Sequence, residues 1–132
     1  LDKLKIFFAV SLLASFSFGC EIGWNHSLAS AKKASATSKK PIMVFVTSMT
    51  CPYCTIMSET ALADEDVCGL VTAKFIPLVV IGNSDEMPKK SRVMGVPAVL
   101  FVDAAENEIA ARVVGVRSAK DFLNDLKQRT QR

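Results

Sequence analysis

Pro41-Ile42-Met43-Val44-Phe45-Val46-Thr47-Ser48-Met49-Thr50-Cys51-Pro52-Tyr53-Cys54 is an apolar, β-rich run that ends on two cysteines separated by two residues. Ile42 to Thr47 is continuous and rich in β-branched and aromatic residues, the pattern of a strand covered on both faces. Helix formers follow the pair. Pro52 suits a first helical turn, because its missing N–H would have had no helical partner there. Cys51 therefore falls at a helix N-terminus, where unpaired backbone N–H groups and the helix dipole stabilise a thiolate and bring its pKa below the usual value of about 8.5. Cys51 is expected to be the exposed nucleophile and Cys54, one turn inside, the resolving thiol. The competing reading, a metal site, needs two further ligands. Cys20, Cys68 and the single histidine, His26, form no second close pair. Neither a metal nor a cofactor is expected.

Upstream, Lys3 and Lys5 precede the uncharged apolar stretch Ile6 to Phe18, and Ser17-Phe18-Gly19 closes it with small residues. This is the layout of a secretory signal, and the stretch is shorter than the ~20 residues a membrane span requires. Residues 1–19 are expected to be a signal peptide, 20–40 an N-terminal arm or helix, and 41–132 the main domain. Cleavage after Gly19 would leave Cys20 first, which makes it a candidate lipid anchor. The expected location is periplasmic or secreted, with membrane anchoring as a lipoprotein as a variant of it. The net charge is +3, with the excess mainly in Lys32, Lys33, Lys39 and Lys40. No aromatic residues interleave them, so they read as a solvated face and not a nucleic-acid surface.

Downstream, 52–63 reads as a helix with Ile56, Met57 and Ala61 inward. A second short helix after Asp64 carries Val67, Cys68, Leu70 and Val71. Residues 75–81 form a strand, 86–92 a short helix, and 98–102 and 108–114 an antiparallel hairpin. Ser118 caps a last helix from Ala119 to about Arg129, with Phe122, Leu123 and Leu126 on one face. The class is α/β: a mixed four-stranded sheet with helices on both faces. Pro77 would cost a central strand one ladder bond, so its strand belongs at an edge or a bulge.

Cys51-Pro52-Tyr53-Cys54, with Gly95-Val96-Pro97-Ala98 downstream and Gly115 after the next strand, resembles the thioredoxin superfamily over roughly Lys40 to Leu126. Trp24 before a lysine-rich helix, and Lys39-Lys40-Pro41 entering the first strand, are similar to secreted bacterial thioredoxin-like proteins. The resemblance implies a thioredoxin-like fold and a cis bond between Val96 and Pro97, with Val96 offering backbone hydrogen bonds to an extended substrate. That family's sheet normally starts with a strand before the one leading to the cysteines. Residues 21–40, rich in alanine, serine and lysine, show none, which puts the Pro77 strand at the edge. The expected order is then 75–81, 42–47, 98–103, 108–114, the last antiparallel to its neighbour. It implies that Thr50, Tyr53, Val96 and Pro97 bind substrate beside the catalytic Cys51 and Cys54. Two departures stand out. Thr50 replaces the tryptophan usual before the first cysteine, and Phe45 occupies the strand position of the usual buried acid. The Pro-Tyr dipeptide is the glutaredoxin choice, but no basic and polar glutathione-binding pattern accompanies it.

The functional expectation is a thiol:disulfide oxidoreductase acting on exported proteins, as a reductase, with protein thiols or disulfides and a redox donor or acceptor protein as partners. The alternative is a non-catalytic thioredoxin-fold module for binding or metal delivery, which would place a histidine near the pair. Cys68 remains open between a core residue, a disulfide to Cys20 and a second exchange role. Met49, Met57 and Met94 fit either a recognition surface or core filling.

Overall fold

The computed structural model describes residues 19–131; the expected signal peptide lies outside them except for Gly19. Along the chain come helix α1 (Leu28–Ser38), strand β1 (Ile42–Thr47), helix α2 (Pro52–Glu59), a 3-10 turn (Ala61–Ala63) and helix α3 (Glu65–Lys74). Strands β2 (Ile76–Ile81), β3 (Ala98–Val102) and β4 (Val113–Val114) follow, and helix α4 (Ala119–Thr130) closes the order. The sheet runs β2-β1-β3-β4, with β1 parallel to β2, antiparallel to β3, and β3 antiparallel to β4. This is the order expected from the sequence.

The uninterrupted apolar run of β1 follows from burial of both its faces. Met43 and Phe45 pack with Cys54, Met57, Val67, Val71, Phe122 and Leu126 from α2, α3 and α4. Ile42, Val44 and Val46 face the other way, towards Leu28 and Ala31 of α1 and Met87 and Val93 of the β2–β3 connection. All four α-helices start on side-chain caps, three of them through oxygen: Ser27 accepts from Ser30 N–H at 3.2 Å, Asp64 from Val67 N–H at 3.0 Å, and Ser118 from Asp121 N–H at 3.1 Å. Each satisfies an N–H that would have no helical partner.

Pro77 lies on the edge strand, and the hydrogen-bond pattern shows why it fits. The N–H groups of Ile76, Leu78 and Val80 belong to the side of β2 facing β1, since Ile76 N–H donates to Pro41 O at 2.9 Å. The nitrogens of Pro77 and Val79 face outward. There Asn25 bridges the edge: its N–H donates to Pro77 O at 2.9 Å and its carbonyl accepts from Val79 N–H at 3.0 Å. Only the carbonyl of Pro77 is needed, so the proline leaves no ladder bond unmade. The strand that precedes β1 in the resembling fold is reduced here to that single bridge at Asn25.

Several expectations need correction. The helix expected over 86–92 is a chain of turns, in which Met87 N–H donates to Ser84 O and Ser91 N–H to Pro88 O. Pro88 interrupts any helical ladder, and Glu86 and Lys89 are engaged elsewhere: Glu86 accepts from Leu28 N–H, and Lys89 N–H donates to Glu106. The strand expected over 108–114 pairs only at its ends. Val102 bridges Glu108, and pairing resumes where Val99 meets Val113, three steps along β3 against five along the partner. The two extra residues bulge out. Arg129 Nε holds Ala111 O at 2.7 Å, and Arg112 folds onto Glu108 at 2.7 and 3.0 Å, which replaces ladder bonds with side-chain bonds. Of the three inward residues expected on α2 and its extension, Met57 and Ala61 are buried but Ile56 is 45% exposed. Cys54 and Met57, three apart, take the inward face instead.

Candidate redox site

Strand β1 delivers the chain to Cys51 through Ser48, Met49 and Thr50. Cys51 is extended (φ −127°, ψ 96°) and is the N-cap of α2, with Pro52 as the first helical residue. Its Sγ accepts from Cys54 N–H at 3.1 Å, and its carbonyl accepts from Thr55 N–H at 3.2 Å. The two cysteines form a disulfide with Cα atoms 5.2 Å apart. Cys54 is 3% exposed whereas Cys51 is half-buried. Cys51 is therefore the more accessible residue of the pair. No charged side chain occurs between Thr47 and Ser58, so the backbone N–H groups and dipole of α2 are the local source of positive potential for a Cys51 thiolate.

Thr50 and Tyr53 are exposed, Tyr53 at 64%. Val96 is half-buried, Pro97 is buried, and the bond between them is cis. Val96 lies with Val46 and Val93 around Gly82, whose N–H donates to Thr47 O at 2.9 Å. The Val96–Pro97 loop thus sits at the end of β1 that leads to Cys51. Gly115 N–H donates to Pro97 O at 2.8 Å from φ +89°, a conformation suited to glycine. The structure resolves the methionines: Met57 is core, while Met49 and Met94 are 86% and 102% exposed. Ile56, expected inward, joins Tyr53 three residues earlier on the outer face of α2, so the helix presents two exposed apolar side chains beside the pair. A sharper helical phase, anchored on Cys54, would have found it.

The remaining cysteines pair. Cys20 and Cys68 form a second disulfide, Cα atoms 5.9 Å apart, across 48 residues of sequence. Cys68 is fully buried, so it is at once the core residue and the disulfide partner that the sequence left as alternatives. The candidate lipid anchor at Cys20 is corrected by this bond: a lipid thioether would use the sulfur already joined to Cys68. The disulfide also directs the arm. Ile22 is buried, and Trp24 lies against Phe45 beside a cavity of about 330 Å³ between the arm, the end of α2 and the 3-10 turn. His26 is exposed on this arm. Among the described residues no three His, Cys, Asp or Glu side chains cluster closely enough to hold a metal ion.

A family model described as a thioredoxin-like domain matches residues 28–130. The thiol:disulfide interchange protein DsbD of Yersinia enterocolitica is 36% identical over 93 residues, which cover 67% of this chain and 16% of that protein. The chain therefore matches a small part of that relative's length. Among solved structures, a thioredoxin from Thermus thermophilus superposes with a TM-score of 0.70 at 28% identity, over 82% of this chain and 86% of that one. The oxidised DsbD C-terminal domain of Neisseria meningitidis superposes with a TM-score of 0.63 at 20% identity, over 76% of this chain and 90% of that one, a likeness of fold.

Proposed function

The chain belongs to the thioredoxin-like domain family, and from that premise we propose that it is a thiol:disulfide oxidoreductase that reduces disulfides in exported proteins. The observation that carries the reading is the asymmetry of the pair: a half-exposed Cys51 at the N-cap of α2 joined to a buried Cys54 one turn on.

In the reducing direction, the Cys51 thiolate attacks one sulfur of a substrate disulfide and the other leaves as a thiolate. Cys54, after losing its proton, attacks Cys51 Sγ. The mixed disulfide breaks, the second substrate thiolate leaves, and the Cys51–Cys54 disulfide forms. Two electrons have passed to the substrate, whose thiolates take up protons. A donor dithiol protein then restores the pair by the same steps in reverse. With Phe45 beneath the pair, the proton of Cys54 passes to water or to a departing thiolate. Thr50, Tyr53 and the backbone of Val96 flank the mixed disulfide, with Pro97 holding the loop of Val96.

An extracytoplasmic location is supported by the Cys20–Cys68 disulfide, since structural disulfides persist where thiols are not kept reduced. The basic-then-apolar pattern of residues 3–18 supports it as well. Assay of insulin disulfide reduction tests the activity: wild type reduces it and Cys51→Ser does not. Equal behaviour of the two proteins would reject the enzyme in favour of a binding module. Measurement of the pair's reduction potential against the compartment tests the direction, with about 30 mV corresponding to 1.4 kcal/mol.

A further inference from the structure

The bulge that precedes β4 shapes a cavity. A continuous strand over 108–114 would have run beside β3 past Phe101. Instead the chain leaves β3 after Ile109, whose N–H still donates to Phe101 O at 2.8 Å, and Ile109 and Ala110 wall a cavity of about 370 Å³. It opens at the end of the sheet where Pro41 enters β1, the end remote from Cys51. A volume near the lower end of the ~300–1,000 Å³ range suits a small ligand.

The lining is chemically one-sided. Phe75 and Phe101, 5.5 Å apart between centroids, are nearly inaccessible and lie beneath the lining, so the apolar surface that faces the cavity is mainly that of Pro41, Ile109 and Ala110. The Arg129 guanidinium lies 4.9 Å from the Phe101 centroid. It is held there by Nε donating to Ala111 O at 2.7 Å and Nη1 donating to Asp125 O at 2.6 Å. Both acceptors are carbonyls; among the described residues Arg129 has no carboxylate partner, and its Nη2 makes no hydrogen bond. Lys74, at the mouth, has no hydrogen-bond or ion-pair partner among the described residues. No Asp or Glu lines the cavity. The C-terminal ends of α3 and α4 contribute partial negative charge nearby, so an anion bound here depends on Lys74 and Arg129 to outweigh it.

We propose that this cavity is a binding site for a small amphipathic carboxylate, its apolar body against Pro41, Ile109 and Ala110 and its carboxylate between Lys74 and Arg129. The site is independent of the redox reading. Its test uses octanoate and 3-phenylpropanoate as probes, titrated into the oxidised protein and followed by amide NMR shifts. At least one probe should give saturable shifts at Lys74, Phe75, Ile109, Ala110 and Thr130. The matching neutral alcohol should bind about tenfold more weakly, the loss expected for a charge-assisted hydrogen bond. Lys74→Glu, an exposed substitution, should weaken the carboxylate by about tenfold or more while the alcohol's affinity stays level. Urea unfolding of Lys74→Glu matching wild type would confirm that the fold is intact. Absence of saturable shifts with both probes, equal binding of acid and alcohol, or unchanged carboxylate affinity in folded Lys74→Glu would each overturn the proposal.

Discussion

Trp24 and Phe45 meet with ring centroids 5.9 Å apart and planes tilted by 37°, so the arm rests its aromatic side chain on the strand that leads to the cysteine pair. In the resembling thioredoxins that strand position carries a buried acid. Here the same space is apolar, and the arm is part of the core because of it. Trp24→Ala should cost about 1–2 kcal/mol, the scale of a half-buried aromatic and its ring contact. Urea unfolding of the oxidised protein measures this, and an unchanged midpoint would mean that the arm does not pack in solution.

The two disulfides should differ in lability. Cys51 is half-buried at a helix N-terminus, whereas Cys68 is fully buried and follows Glu65 and Asp66. Limited dithiothreitol followed by alkylation and mass mapping should label Cys51 and Cys54 first, with Cys20 and Cys68 still joined. The double variant Cys20→Ser/Cys68→Ser should lose about 2–4 kcal/mol of stability through the greater freedom of its unfolded chain. It should keep disulfide reduction at temperatures where it remains folded.

Acid should loosen the α1 side of the molecule. Glu106 adopts φ +69° and is nearly buried, and its carboxylate accepts from Lys32 Nζ at 2.9 Å and Lys89 N–H at 2.8 Å. The Lys32 hydrogen bond, then that of Lys89, hold its pKa below the usual 4.5. Glu108 is lowered in the same direction by its hydrogen bond to Arg112, and Asp103 by the Asn107 N–H. All three bind a proton less readily when folded, so their contribution is complete above the unfolded pKa values and is lost as pH falls through the folded ones. The urea midpoint should be level above about pH 5.5 and decline below pH 4.5. Glu106→Gln should lower the midpoint at pH 7, by about 1 kcal/mol given the half-exposed Lys32, and flatten the acid decline. An unaltered acid decline in this variant would place the titrating groups elsewhere.

The sheet was legible because its signals are local. The β1 run, Pro77 and the turn residues between strands each constrain one neighbourhood, and the resemblance to thioredoxins supplied the strand order. The cysteine pair was legible for the same reason, with strand, N-cap and Pro52 adjacent in sequence. What escaped depends on distant partners. The Cys20–Cys68 bond requires the path of the arm, which Asn25 sets by bridging a strand more than fifty residues on. The bulge at 109–112 rests on Arg129 reaching Ala111 from the last helix. The turns at 84–91 rest on Glu86 and Lys89 meeting Leu28 and Glu106. Ile56 was a local error, a helical phase counted from the wrong residue.

Trapping of the mixed disulfide tests the central claim most directly. Reduced Cys54→Ser keeps the exposed nucleophile and lacks the resolving thiol; Cys51→Ser keeps only the buried thiol. Mixed with a disulfide-bonded protein substrate and analysed on a non-reducing gel, Cys54→Ser should accumulate a covalent adduct through Cys51, and Cys51→Ser should form none. An adduct of equal yield through Cys54, or none with either variant, would contradict the assignment of Cys51 as the attacking sulfur.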